Sequence, residues 1–328
     1  MFGTLLPLVL GSILTLLVSG SSGKCGVSKV DPRIVGGKYA SKHAFPWQVG
    51  LFWRVGLSKG QQFCGGTLIH PQYVVSAAHC FMNGKNPAYY QVRLGDHVIS
   101  DTDGKEEIRN ISKLFVHEQY HEITYDNDIA LIKLERPVIL NDNINTICLP
   151  RPFDDVYQVK SKCIITGWGA TGFGGASSDI LMEAYVPVVR REQCTHEDVY
   201  GSKISENMFC AGYANGSQDT CGGDSGGPFQ CRKPGSNQFV LRGVTSWGQG
   251  CGKKLKYGVY TLVKNYWAWL KLTIMHADRV TPAPPIPPPI PPIPPPMPPM
   301  PTKNPIRSLR PPPPIHKKKR KTSRKARN

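Results

Sequence analysis

The sequence predicts an all-β protein over residues 34–278, a sandwich or barrels, followed by an extended basic tail over 279–328. Three observations carry this expectation. Short β-rich runs recur between Gly, Asp and Asn turns from Tyr73 to Val263. One amphipathic helical stretch closes that region. Beyond Asp278 the composition turns abruptly to proline.

Taken in order, the chain begins with an apolar run from Leu5 to Val18 followed by small residues. Residues 1–23 therefore read as a secretory signal, cleaved between Gly20 and Lys24. No Lys or Arg precedes the run, which leaves an uncleaved anchor as the alternative. The β-rich runs follow: YVVSAAH, YYQVRLG, ISKLFVH, DIALIKL, CIITGWG, AYVPVV, FVLRGVTSW and GVYTLV. Val263, Trp267, Leu270 and Ile274 then recur at helical spacing and form one apolar stripe. The run PAPPIPPPIPPIPPPMPPMP has too few non-proline residues for helix or sheet, so it should form an extended polyproline II rod. Like charges in the final HKKKRKTSRKARN repel, which favours disorder.

The 328 residues carry a formal charge of +17, but 11 Lys or Arg and no acid lie in Thr302–Asn328. The remainder is only about +6, so the excess belongs to a tail and not to a basic face on the fold. Partners of the tail would be polyanions such as sulfated glycans; a secreted chain is not expected to meet nucleic acid. Ten cysteines, an even number in an exported chain, suggest a disulfide framework, and no Cys-x-x-Cys or His pair suggests zinc.

The chemistry centres on Ser225 in DTCGGDSGGP. Alone the stretch reads equally well as a glycine-rich turn. A serine hydroxyl attacks nothing at neutral pH without a base, an orienting group and a site for the oxyanion. His79 in SAAHC and Asp128 in DNDIALIKL can supply the first two. Singly, each is an ordinary core histidine or turn aspartate. In the order His, Asp, Ser they point to acyl transfer.

The stretches RIVGG, PWQV, CGGTLI, SAAHC, DIALIKL, ITGWG, MFCAGY, DTCGGDSGGP, TSWGQGC and YGVY run from residue 33 to 260. In that order they resemble the trypsin-like serine proteases of the chymotrypsin fold. The resemblance implies two packed antiparallel six-stranded β-barrels with a C-terminal helix, and a serine endopeptidase. It makes His79 the general base, Asp128 its orienting carboxylate and Ser225 the nucleophile, with an oxyanion hole from the N–H groups of Gly223 and Ser225. Ser246 would bond Asp128. Asp219 would floor a pocket for substrate Arg or Lys, with Gly248 and Gly258 at its walls and Trp247 and Tyr125 beside it. Gly222 stands where the family commonly has Gln, which opens the pocket entrance. An Arg33–Ile34 bond in DPRIVGG implies a zymogen, cut by another trypsin-like protease so that the freed Ile34 ammonium pairs with Asp224.

The same resemblance pairs Cys64 with Cys80, Cys163 with Cys231, Cys194 with Cys210, Cys221 with Cys251 and Cys25 with Cys148. The last pair would retain residues 24–33 as a light chain. No cofactor is required, but GDHVISDTDGKE resembles a calcium loop with Asp96, Asp103 and Glu106 as oxygen donors. Asn110 and Asn215 head glycosylation sequons. Expected partners are Arg- or Lys-containing protein substrates and serpin or Kunitz-type inhibitors. The proline-rich extension resembles that of acrosin, the sperm protease, and would place the chain in a secretory vesicle such as the acrosome. The rival class is a catalytically silent relative that acts as a polyanion-binding or adhesion protein.

Overall fold

Six strands close the first barrel of the computed structural model, which describes residues 24–30, 38–54, 60–82, 84–158, 163–172, 174–217 and 220–279. A two-residue strand, β1 (Lys38–Tyr39), precedes them. They are β2 (Gln48–Trp53), β3 (Gln62–His70), β4 (Tyr73–Ser76), β5 (Tyr90–Leu94), β6 (Glu107–Val116) and β7 (Ala130–Leu134). Their order is β2-β3-β4-β7-β6-β5, antiparallel throughout. Val49, Leu51, Leu68, Val74, Val92 and Ile132 share one face in this register and are fully buried, so closure removes both the apolar face and the sheet edges from water.

The second barrel uses β8 (Cys163–Gly167), β9 (Met182–Val186), β10 (Met208–Ala211), β11 (Pro228–Arg232), β12 (Phe239–Trp247) and β13 (Gly258–Leu262). These form one antiparallel sheet ordered β9-β8-β11-β12-β13-β10, with β1 added outside β9. It is a half-barrel. Strand β9 stops at Val186 because Pro187 has no N–H for the ladder. Pairing resumes at Val188, which bridges Ala211 of β10, flanked by Val189 N–H to Cys210 O at 2.9 Å and Gly212 N–H to Pro187 O at 2.9 Å.

A buried polar chain joins the barrels. Thr166 of β8 donates to Gln48 Oε1 of β2 at 2.6 Å and accepts from Gln230 Nε2 of β11 at 3.1 Å, while Trp47 Nε1 donates to Gln230. Each member is at most 5% exposed, so each polar atom left unpaired there would cost about 1–3 kcal/mol.

A short helical turn, α1 (Arg191–Cys194), and a C-terminal helix, α2 (Trp267–Arg279), complete the fold. Val263, Leu270 and Ile274 of the expected apolar stripe face the core but Trp267 is not among the residues packed on it, and Val263 lies in a 3₁₀ turn (Val263–Tyr266) that leads into α2. Leu270 and Ala277 are buried and Ile274 packs on the core. The end of α2 is locked to the first barrel. Buried Lys133 of β7 donates to Ala277 O at 3.0 Å and Asp278 Oδ1 at 2.9 Å, and Tyr73 OH donates to the same oxygen at 2.5 Å. All five expected disulfides are formed, including Cys25–Cys148. That bond, Gly26 N–H to Thr146 O and Phe239 N–H to Gly26 O, both 2.7 Å, fasten residues 24–30 to the body.

Candidate active site

His79 leaves β4 in a 3₁₀ turn (Ala78–Phe81), where the Cys64–Cys80 disulfide ties its neighbour to β3. Asp128 stands just before β7 and is fully buried. Its carboxylate accepts from His79 N–H at 2.9 Å (Oδ1), from His79 Nδ1 at 2.7 Å (Oδ2) and from Ser246 Oγ at 2.5 Å (Oδ2). Thr261 Oγ1 of β13 donates to the Asp128 carbonyl at 2.8 Å. Ser246 and Thr261 belong to the second barrel and Asp128 to the first, so the site straddles the seam. A carboxylate oxygen accepts, so the ring nitrogen turned toward Asp128 is the donor, Nδ1.

Ser225 occupies a turn held from both barrels. Its carbonyl accepts from Gly65 N–H of β3 at 2.7 Å, and Gly226 N–H donates to Thr245 O of β12 at 2.8 Å. Gly226 has φ +79°, and a Cβ there would stand 2.2 Å from Ser76 Oγ and 2.5 Å from Gly65 O, so no side chain fits. No hydrogen bond joins Ser225 Oγ to His79.

Asp224 is turned inward. Its carboxylate accepts from Gly169 N–H at 2.9 Å and Cys221 N–H at 3.0 Å, and no cation among the described residues reaches it. Burial pushes its carboxyl up to about 6, and the two N–H donors offset only part of that. It lines a cavity of about 240 Å³ together with Gly169, Met182, Glu183, Thr220 and Cys251. Glu183 of β9 is also buried; its Oε2 has no hydrogen-bond partner, and burial pushes it up to about 7.

Several expected site residues fall elsewhere. Arg33, Ile34 and Asp219, like the signal segment and the tail, lie outside the described residues. Gly248 is open, with nothing nearer than 3.6 Å to a would-be Cβ, and Gly222 has nothing within 4 Å. Gly258 is buried at the head of β13, and Trp247 packs edge-on to Tyr200 at 5.0 Å. The Tyr125 ring stands 5.7 Å from that of His79. Asn215 is on an exposed turn, whereas Asn110 is half-buried in β6 with Nδ2 bonded to Glu135 at 3.0 Å.

The loop offered for calcium is engaged as follows in the folded chain. Asp103 is bound to Lys42 Nζ at 2.5 Å, and both Glu106 oxygens accept loop N–H groups, from Asp103 at 2.8 Å and Gly104 at 3.0 Å. Asp96 is buried, and the three do not form a carboxylate cluster among the described residues. Cys64, His79 and Cys80 do converge, but the two cysteines are bonded to each other and offer no thiolate.

Comparison with known proteins decides the family. The profile described as Trypsin matches residues 34–270. The chain belongs to the trypsin family of serine proteases. Over 245 residues it is 42% identical to Serine protease 1 of Homo sapiens and 41% to Cationic trypsin-3 of Rattus norvegicus, covering 74% of this chain and 90% of each relative. It is 40% identical to Trypsin of Sus scrofa over 74% of this chain and 96% of that one. Proteases of the trypsin family need no cofactor. No helix among the described residues of this trypsin-family chain is long and apolar enough to cross a membrane. One member of its site gave no local signal in the sequence. Gln62, two residues before Cys64, donates from Nε2 to Gly223 O at 3.0 Å.

Proposed function

We propose that the chain is the secreted zymogen of a serine endopeptidase that cleaves after Arg or Lys. The observation that carries the reading is the Ser246–Asp128–His79 relay beside the Ser225 turn. His79 Nε2 takes the Ser225 proton as Oγ attacks the scissile carbonyl, Asp128 stabilises the imidazolium, and the Gly223 and Ser225 N–H groups receive the oxyanion. His79 then protonates the leaving amine, and water releases the acyl group by the same route. Cleavage of Arg33–Ile34 frees an ammonium for Asp224, whose buried carboxylate has no other cation among the described residues. Cys25–Cys148 keeps the light chain attached afterwards. Export through the signal segment accords with the disulfides.

Asp219, six residues before Ser225 in the sequence, and the open position of Gly248 support the Arg or Lys preference. The activated protein, profiled on a peptide library, should cut after Arg and Lys. Asp219→Ser should lower kcat/KM on Arg peptides by about 10⁴-fold, because the substrate cation is left unpaired in the pocket. A preference of the wild type for Phe or Leu would reject this assignment.

The tail reads as a tether on a polyanionic matrix, and an acrosin-like role in reproduction rests on its composition alone. Its 11 basic residues are expected to bind sulfated glycans by salt-sensitive contacts. Truncation after Arg279, which keeps the Asp278 lock, should leave peptide hydrolysis within twofold and move heparin elution to lower salt. Equal elution of the two forms would refute the tether.

A further inference from the structure

We propose that Gln62 is a positioning residue of the oxyanion turn: its side-chain amide holds the Gly223 carbonyl and so aims the N–H groups that receive the oxyanion. The proposal rests on the peptidase reading of that turn. Gln62 opens β3 and is half-buried. Its Nε2 donates to Cys64 O at 2.9 Å and to Gly223 O at 3.0 Å. A primary amide has two N–H groups, so both bonds form without competition.

Gly223 needs such a hold. With φ +98° and no side chain, it leaves the peptides on either side free to rotate unless hydrogen bonds stop them. The peptide before it carries the Gly223 N–H, and its carbonyl, Gly222 O, accepts from Ala170 N–H at 2.7 Å. The N–H and C=O of a trans peptide point opposite ways, so holding that oxygen turns the Gly223 N–H to the other side. The peptide after Gly223 is held at its N–H by Cys221 O, at 3.1 Å. At its carbonyl, Gln62 is the one donor among the described residues. The Gly223–Asp224 peptide is thus held at its N–H by Cys221 and at its carbonyl by Gln62.

The contact also spans the two barrels. Gln62 is on the strand that carries Cys64, and Cys64 is bonded to Cys80 beside His79. One strand thus sets the base and the oxyanion turn in a common frame. An amide does not titrate between the pH values at which the enzyme would work, so the hold is independent of pH.

The test uses the full-length chain cleaved at Arg33, with Gln62→Met, which keeps length and loses the donor, and Gln62→Glu, which keeps shape and repels the carbonyl. For Gln62→Met, kcat on a cleaved peptide should fall about tenfold, less than the 10²–10³ for deleting an oxyanion donor outright. Gln62→Glu should fall further. KM and the benzamidine inhibition constant should stay within twofold, because neither ground-state ligand uses the oxyanion site. Phosphonylation of Ser225 by a fluorophosphonate should slow in parallel with kcat. A Gln62→Met enzyme within twofold of wild type in kcat overturns the proposal. So does an equal loss of benzamidine affinity, which would signal general disruption. A wild type inert to both peptides and fluorophosphonate would overturn the peptidase reading itself, and this proposal with it.

Discussion

Ser225→Ala is expected to lower kcat/KM by about 10⁶-fold on any peptide the activated wild type cleaves, with folding and processing at Arg33 intact. The variant should fold because the turn is held by backbone bonds that alanine keeps, Gly65 N–H to the carbonyl of residue 225 and Gly226 N–H to Thr245 O. Only the hydroxyl is lost, and the neighbouring hydroxyls of Ser246 and Thr261 are donated to Asp128. Asp128→Asn should cost about 10⁴-fold by a different route. The aspartate accepts from His79 N–H, the His79 ring and Ser246 Oγ together, and an amide has a single oxygen to share among them. Its NH₂ would meet one of these donors, and the imidazole would turn its proton to Nε2, where a base is needed. Active-site titration with a fluorophosphonate separates the two: the alanine variant is not labelled, whereas the asparagine variant is labelled slowly. Retention of more than 1% of wild-type kcat/KM by Ser225→Ala would remove Ser225 from the nucleophile's role.

Much of this site was legible in the sequence because its motifs are local. SAAHC, DIALIKL and GDSGGP each fix one functional side chain by its immediate neighbours, and the folded chain brings His79 and Asp128 into contact across 49 residues as expected. The strand runs were legible for the same reason, with limits set by single residues. AYVPVV pairs only as far as Val186, since Pro187 cannot extend the ladder. What stayed hidden are contacts between distant segments whose partners carry no pattern. Gln62 and Gly223 meet across 161 residues, and Lys133 finds Asp278 across 145. The acidic loop illustrates the converse. Asp103 and Glu106 have the right chemistry for calcium, and nothing in their local sequence announces that Lys42, from another segment, pairs with Asp103.

Asp224→Asn should cost the cleaved enzyme about 10²- to 10³-fold in kcat/KM, the range set by breaking a buried ion pair on one side. In the uncleaved chain the same substitution should act in the opposite sense. There the carboxylate is buried with two N–H donors and no cation among the described residues, and its carboxyl is pushed up to about 6. The folded state thus binds this proton more tightly than the unfolded chain does. The stability it contributes is fully present below about pH 4 and is lost as pH rises through about 6. Glu183, pushed up to about 7 in the same cavity, adds a loss of the same sign at slightly higher pH. The uncleaved wild type should therefore lose melting temperature between pH 4.5 and 7.5 relative to uncleaved Asp224→Asn, both carrying Ser225→Ala to prevent self-digestion. Cleavage at Arg33 should shrink that difference, because the incoming ammonium stabilises the ionised carboxylate and lowers its proton affinity. Such a reversal would mean that the uncut protein is strained at neutral pH by a charge that activation neutralises. Parallel pH profiles for the two uncleaved proteins would show instead that Asp224 already has a cation before the cut, and the activation step assigned to it would fall.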